Sequence, residues 1–295
     1  MTKNKLSSKK YVLVTGAGTG LGFATAKLLA GKGWNVYAVK IPEQSAEELQ
    51  KISNVTPITM DITNQKSVSE GYQKISNEIG EQGLAALVNV AGLAGIAGGV
   101  IEGVSEERTR ALFDVNLFGT LRVIQTFLPL LRKYGPARIV NVSSSGVRAP
   151  VPFSGIYAIS KYAVMGITNS LRYELSPFGI QVTSIEPGSM RTPMTADHET
   201  NMAKTWDMMP PHIKDVYYEK LKPSLEYMAQ SLVNPDDPAL VAEVINKALN
   251  AKKMRMRYIA GTQVKMMPFA QRLLGEDRFE HMIIKTAKLL PKANN

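Results

Sequence analysis

The chain has 295 residues, 44% of them hydrophobic, enough for one large globular domain with a sizeable core. It has no cysteine, which excludes disulfides, zinc–thiolate sites and thiol nucleophiles, and its histidines (His198, His212, His281) lack ligand spacing, so no metal site is expected. The net charge of +10 is uneven: residues 246–295 hold eleven Lys/Arg against three Asp/Glu, and the first ten residues carry four lysines.

The opening MTKNKLSSKK lacks the apolar run of a signal peptide, and no 18-residue apolar stretch follows, so a soluble, cytoplasmic protein is expected. The first strand reads YVLVTG (11–16) and runs into the glycine-rich VTGAGTGLG (14–22), with a helical pattern over 21–32. WNVYAVK (34–40) and VTPITMDI (55–62) are further strands, followed by a helix over 64–80. LAALVNVAG (84–92), a long helical stretch over 106–134, ARIVNVSS (137–144), a helix over 157–176 stopped by SPFG, and IQVTSIEPG (180–188) complete the first part. Several strands are nearly continuous apolar runs, as strands buried on both faces are. Strand–helix alternation predicts a doubly wound α/β fold with a parallel sheet and helices on both faces.

Residues 193–235 are rich in proline, methionine and aromatics, and read as a helical insertion rather than a separate domain. DDPALVAEVINKALNAK then resumes as a helix, RYIAG (257–261) as a last strand, and 262–295 as a basic tail. The expectation is a single domain over 1–295, its core at 11–192. The tail is either a solvated or packed face, or a surface for an anionic membrane, contact that is not favoured. No nucleic-acid module is visible, and nucleic acid is not expected as a partner.

Glycines at 16, 18, 20 and 22 between a first strand and a first helix allow close approach of a phosphate to backbone N–H groups and a helix N-terminus. A glycine-rich turn by itself is also an ordinary loop; its place here is what gives it meaning. The second strand ends in YAVKIPE, with Lys40 where an acid would bond the ribose of NAD, so the charge leans toward the extra phosphate of NADP. The alternative is a solvated lysine with no cofactor role.

Tyr157 and Lys161, four apart on a helix, share one face. An ammonium beside a phenol favours phenolate and is expected to pull the tyrosine pKa down, which makes Tyr157 a candidate acid/base. Such a pair also arises as an ordinary surface pair. Ser144, thirteen residues upstream at a strand end, is placed to face the same crevice.

TGAGTGLG (15–22), NVAG (89–92), VNLFG (115–119), the serine strand, YAISK (157–161) and PGSMRT (187–192) stand in an order and spacing that resembles the short-chain dehydrogenase/reductase family, over about residues 11–192. The resemblance implies a Rossmann-type fold and a nicotinamide cofactor, NADP(H) favoured and NAD(H) possible. It implies Tyr157 as proton donor or acceptor, Lys161 as its modulator and a ribose ligand, and Ser144 as the holder of the substrate oxygen. Asn116 would hold a relay water. Gly16, Thr19, Gly20, Leu21, Gly22 and Lys40 would bind the phosphate end, Asp61 and Ile62 the adenine, and Asn89, Val90, Ala91 and Gly92 the adenosine side. Pro187, Gly188, Met190 and Thr192 would hold the carboxamide. Val90 departs from the family's second Asn, which puts sheet support in question. The triple serine leaves Ser143 and Ser145 open as alternatives to Ser144.

LRYELSPFGIQV (171–182) and the region around 248–261 look like the branch of 17β-hydroxysteroid, retinol and 3-hydroxybutyrate dehydrogenases. That implies a small-molecule alcohol or ketone, such as a steroid or retinoid. Met194, Met202, Trp206, Met208 and Met209 would form an apolar lid, or else pack extra helices. The family resemblance also implies a homo-oligomer, dimer or tetramer. A catalytically idle dinucleotide sensor or scaffold on the same fold would have lost the serine, tyrosine or lysine, and all three are present.

Overall fold

The computed structural model describes residues 9–96, 98–150, 152–192, 206–231 and 234–289. Seven strands form one sheet in the order β3-β2-β1-β4-β5-β6-β7, with every neighbouring pair parallel. They are β1 (Tyr11–Val14), β2 (Asn35–Lys40), β3 (Val55–Thr59), β4 (Ala86–Asn89), β5 (Arg138–Val142), β6 (Gln181–Pro187) and β7 (Arg257–Ala260). The helices are α1 (Gly20–Gly31), a short α2 (Glu47–Gln50), α3 (Gln65–Ile79), α4 (Glu106–Phe113), α5 (Thr120–Tyr134), α6 (Gly155–Glu174), α7 (Pro211–Ser231), α8 (Pro238–Asn250), α9 (Met267–Leu274) and α10 (Glu276–Thr286).

The apolar strand runs have a direct cause. Val12 and Val14 of β1, Ala86 and Val88 of β4, and Val140 and Val142 of β5 point to one face, where they pack on α1 and α8. Leu13, Leu87 and Ile139 point to the other, against Val68 and Ile75 of α3 and Val123, Ile124 and Phe127 of α5. The two-residue alternation persists, but both sets are apolar because both faces are covered. The doubly wound expectation holds.

The strands end earlier than their apolar pattern suggests. β1 stops at 14 rather than 16, β3 at 59 rather than 62, β4 at 89 rather than 92 and β5 at 142 rather than 144. The residues beyond leave the sheet and line a cavity over its C-terminal edge, between them Gly16, Met60 to Ile62, Val90 to Gly92, and Ser143 and Ser144. Apart from Asp61 they are small or apolar, which is why the apolar pattern of the strands runs on into the cavity wall. The strand order reverses between β1 and β4, where a crevice opens in such a sheet.

The long helix read over 106–134 is interrupted. Between α4 and α5 the chain makes a π-helical turn, Asp114–Gly119, whose fourth-from-last residue is Asn116. Widened turns of this kind gather at functional sites, and nothing in apolar spacing reports them. The insertion forms α7, and Met209 and Ile213 are buried against Val100 and Phe153, with Trp206 edge-on to Phe153. Met194 and Met202 lie outside the described residues.

Candidate active site

The phosphate end follows from two glycines. Gly16 has φ +66° and sits so close to Ala91 that a Cβ would lie 2.8 Å from the Ala91 Cα; a Cβ on Gly22 would meet the Gly16 carbonyl oxygen at 2.0 Å. Only glycine lets β1, α1 and the β4 loop meet here. Thr15 Oγ1 then accepts from the backbone N–H of both Val90 and Ala91 at 3.1 Å, fixing the two loops together. Thr19 caps α1 without a side-chain bond to it, and the first turn has no acidic residue, so its N–H groups and positive dipole end are free for an anion.

The other end is built by β5 and α6. The structure distinguishes the three serines. Ser143 Oγ is spent donating to the Lys161 carbonyl at 3.0 Å, and Ser145 opens a short 3-10 turn. Ser144 Oγ accepts from Gly146 N–H at 3.1 Å and shares a hydrogen bond with the Tyr157 hydroxyl. Lys161 is buried; its Nζ donates to the Val142 carbonyl at 3.2 Å and lies 5.7 Å from the Tyr157 ring centre.

The expected lowering of the Tyr157 pKa is corrected in this arrangement. Burial pushes the phenol above its ordinary value, and the Ser144 hydrogen bond offsets only part of that. Burial also pulls Lys161 down, to about 8. At neutral pH the pair is a phenol beside an ammonium.

One cavity of ≈ 400 Å³ joins the two ends. Gly16, Thr19, Gly20, Leu21, Gly22, Lys40, Asp61, Ile62, Ala91, Gly92, Ser144, Tyr157, Lys161, Pro187, Gly188, Met190 and Thr192 all line it. Two expected residues do not. Asn89 is buried in β4 and donates to Asn141 Oδ1 at 2.8 Å, bracing the sheet. Asn116 is buried behind the wall: its Oδ1 accepts from Leu93 N–H at 2.7 Å, and its Nδ2 donates to the Leu93 carbonyl and to Ser160 Oγ, both at 3.0 Å. Its side chain clamps the β4 loop to α6, with one lone pair of Oδ1 left over. Val90 packs on the α1-side core. Cavity residues the sequence reading missed include Glu43 and Gln44; the YAVKIPE motif held Glu43 in plain view, but only the turn after β2 brings it to the wall.

The model of the family described as short chain dehydrogenase matches residues 10–203. The chain belongs to the short-chain dehydrogenase family. This dehydrogenase is 36% identical over 266 residues to human retinol dehydrogenase 16, the match covering 88% of this chain and 82% of that one. To human 17-beta-hydroxysteroid dehydrogenase type 6 it is 35% identical over 263 residues, covering 87% and 82%. Among solved structures, a short-chain dehydrogenase from Streptomyces avermitilis matches at TM-score 0.74 and 26% identity, covering 94% of this chain and 96% of that one. One from Burkholderia cenocepacia, in complex with NADP, matches at TM-score 0.70 and 24% identity over 96% and 99%, a likeness of fold. The hydroxysteroid and retinol branch read from the sequence is thereby borne out.

The dehydrogenase is an NAD(P)-dependent oxidoreductase. Its cleft suits a dinucleotide: a backbone cradle that a Cβ would fill, a helix N-terminus without an acid, and a single elongated cavity from there to Tyr157.

Proposed function

We propose that this dehydrogenase interconverts a secondary alcohol and a ketone on a lipophilic, steroid-like substrate, with Tyr157 transferring the proton. The observation that carries this reading is the convergence of the Ser144 and Tyr157 hydroxyls and the Lys161 ammonium on the cavity that begins at the glycine turn. The nicotinamide supplies hydride chemistry at the carbinol carbon when bound. Gly16 to Gly22 cradle its phosphates, Asp61 and Ile62 its adenine, and Pro187 to Thr192 its carboxamide end. Ser144 donates to the substrate oxygen and stabilises charge that develops there. Tyr157 gives its proton to that oxygen in reduction and takes it back in oxidation; the Lys161 charge stabilises the phenolate left behind. Asn116 holds the β4 loop against α6 and so positions Lys161.

A lipophilic substrate is supported by the apolar cluster of Val100, Phe153, Met209 and Trp206, adjoining the first turn of α6 that carries Tyr157. The retinol dehydrogenase relatives favour a second reading, a retinoid with a primary alcohol. Turnover of a steroid alcohol and of retinol in parallel separates the two.

NADP(H) is the proposed cofactor, with NAD(H) as the alternative. Lys40 supports it, buried at the end of β2 on the cavity wall, its Nζ donating to the Ile41 carbonyl at 3.3 Å. Glu43 on the same wall opposes it. Titration with NADPH and NADH, followed by nicotinamide fluorescence, tests the assignment: NADPH binds tighter, Lys40→Asp shifts preference toward NADH, and Glu43→Ala strengthens NADPH further. An unchanged preference in Lys40→Asp removes Lys40 from the phosphate site.

A homo-oligomer is proposed on the exposed Phe118, Ile159 and Tyr162, which leave apolar area around the π turn and α6 without cover. Light scattering of the purified protein decides it; a monomer at all concentrations contradicts it.

A further inference from the structure

Arg148 lies four residues beyond Ser144, where the 3-10 turn Ser145–Val147 ends. Its side chain is largely buried. Nε donates to Glu186 Oε2 at 2.5 Å and Nη1 to Gln271 Oε1 at 2.9 Å. Glu186 is fully buried in β6, directly before Pro187 and Gly188 of the cavity wall, and its other oxygen has Arg257 Nε at 3.7 Å. Gln271 is on α9, in the C-terminal tail. These contacts tie together three segments distant in sequence, and two of them line the cavity.

A buried ion pair is a poor device for stability alone. Apolar residues of similar volume do as well, while one unpaired partner is costly. What the pair adds is a fixed geometry: the guanidinium fork holds its two acceptors at set directions. The far end of the wall segment is fastened separately. Asp236 accepts from Thr262 N–H at 2.8 Å and Thr262 Oγ1 at 2.6 Å, while its backbone N–H donates to the Ser189 carbonyl and its carbonyl accepts from Arg191 N–H. The start of the Ser144 loop is also held, since Ser143 N–H donates to the Ile185 carbonyl of β6 at 2.8 Å. What the Arg148 contacts add is an anchor for the later part of the loop, from Ser144 to Arg148, against Pro187 and Gly188.

We propose that Arg148 is a positioning residue: held by Glu186 and Gln271, it fixes the Ser144 loop against the Pro187–Thr192 wall and makes the C-terminal helix α9 part of the active-site support. The inference rests on the reading of Ser144 and Tyr157 given above. The charged group facing Arg148 is Glu186, whose other oxygen faces Arg257. Those facing the Tyr157 hydroxyl region are Lys161 from its own helix and, as a hydrogen-bond partner, Ser144 from the loop. A loop that drifts weakens the Ser144–Tyr157 hydrogen bond, which shows as an alkaline displacement of the pH profile of alcohol oxidation.

The test compares Arg148→Ala, Arg148→Lys and the milder Gln271→Ala with wild type. The readouts are amide hydrogen exchange over residues 144–150, kcat and KM across pH, NADPH affinity and thermal midpoint. The expected result is faster exchange over 144–150 and a kcat lower by about tenfold or more in Arg148→Ala. Its oxidation profile moves alkaline, and NADPH affinity falls by less than kcat does, because the glycine turn that takes the phosphates is untouched. Arg148→Lys recovers part of the loss, and Gln271→Ala shows the same changes in smaller degree. If Arg148→Ala fails to fold, the other two variants decide. Folded variants with unchanged kcat and pH profile, whatever their thermal midpoint, overturn the proposal. If wild type turns over neither alcohol nor ketone, the functional reading fails on its own. The exchange data then decide the clamp: faster exchange supports it, and unchanged exchange overturns it.

Discussion

At Tyr157 two surroundings oppose each other. Burial holds the phenol protonated, and the Ser144 hydrogen bond favours the phenolate. Burial wins, so under the proposed mechanism reduction finds its proton donor loaded at neutral pH, while oxidation must first remove that proton. Alcohol oxidation should therefore rise with pH through the alkaline range. Reduction should fall as pH rises through about 8, where Lys161 loses the charge that stabilises the phenolate. Rate profiles in both directions check this, and a reduction rate flat across pH 7–9 contradicts the role given to Lys161. That Ser144, Tyr157 and Lys161 share one cavity was legible because their spacing is set by a strand, a loop and one helical turn. Which serine offers its hydroxyl to the cavity was not, since all three have the same side chain: Ser143 and Ser144 both line the cavity and Ser145 does not, and the Ser143 hydroxyl is bonded to the Lys161 carbonyl. The direction of the Tyr157 shift was not legible either, because burial has no local signature in sequence.

At the scale of elements, the β1–α1 unit depends on contacts that leave no space for a side chain. Gly22→Ala puts a Cβ against the Gly16 carbonyl oxygen, a backbone atom that cannot move aside cheaply. It should cost about 1–3 kcal/mol in denaturant unfolding and weaken dinucleotide binding; wild-type values in both would contradict the cradle. Strand and helix existence could be read directly from apolar patterning because each strand feeds two covered faces. Three features escaped it. Strand ends were overrun where apolar residues line the cavity instead of the sheet. The π turn at Asp114–Gly119 interrupts a helix whose spacing looks continuous. Asn89, read as a cofactor ligand, is instead bonded to Asn141, and Asn141 Nδ2 in turn donates to Thr168 Oγ1 at 3.0 Å, a buried polar chain across β4, β5 and α6.

At the scale of the whole molecule, the first part of the chain builds the cavity and later segments shape its surroundings. The insertion packs Met209 and Ile213 onto Val100 and Phe153, leaving Trp206 half-buried against Phe153 and Tyr218. Trp206→Ala should raise KM for a lipophilic substrate by about tenfold, the loss of part of one large apolar contact, with NADPH affinity unchanged. An unchanged KM makes this cluster packing only. The basic tail is packed in part: Phe279 and Ala287 are buried, Gln271 reaches Arg148, and Met266, Phe269 and Leu273 stay exposed. Among the described residues no helix is long and apolar enough to cross a membrane. Its charge excess was plain in the sequence; its bond to the active-site loop joins positions 148 and 271, a pairing that no local pattern encodes.

The most direct test of proton transfer at Tyr157 is the turnover of Tyr157→Phe beside wild type on a steroid alcohol and its ketone, with NADPH binding measured on the same samples. The mechanism predicts turnover lower by on the order of 10²–10⁴ with binding nearly intact, since only the hydroxyl is removed from the cavity wall. Turnover close to wild type, with binding intact, would contradict it and leave the proton to another group.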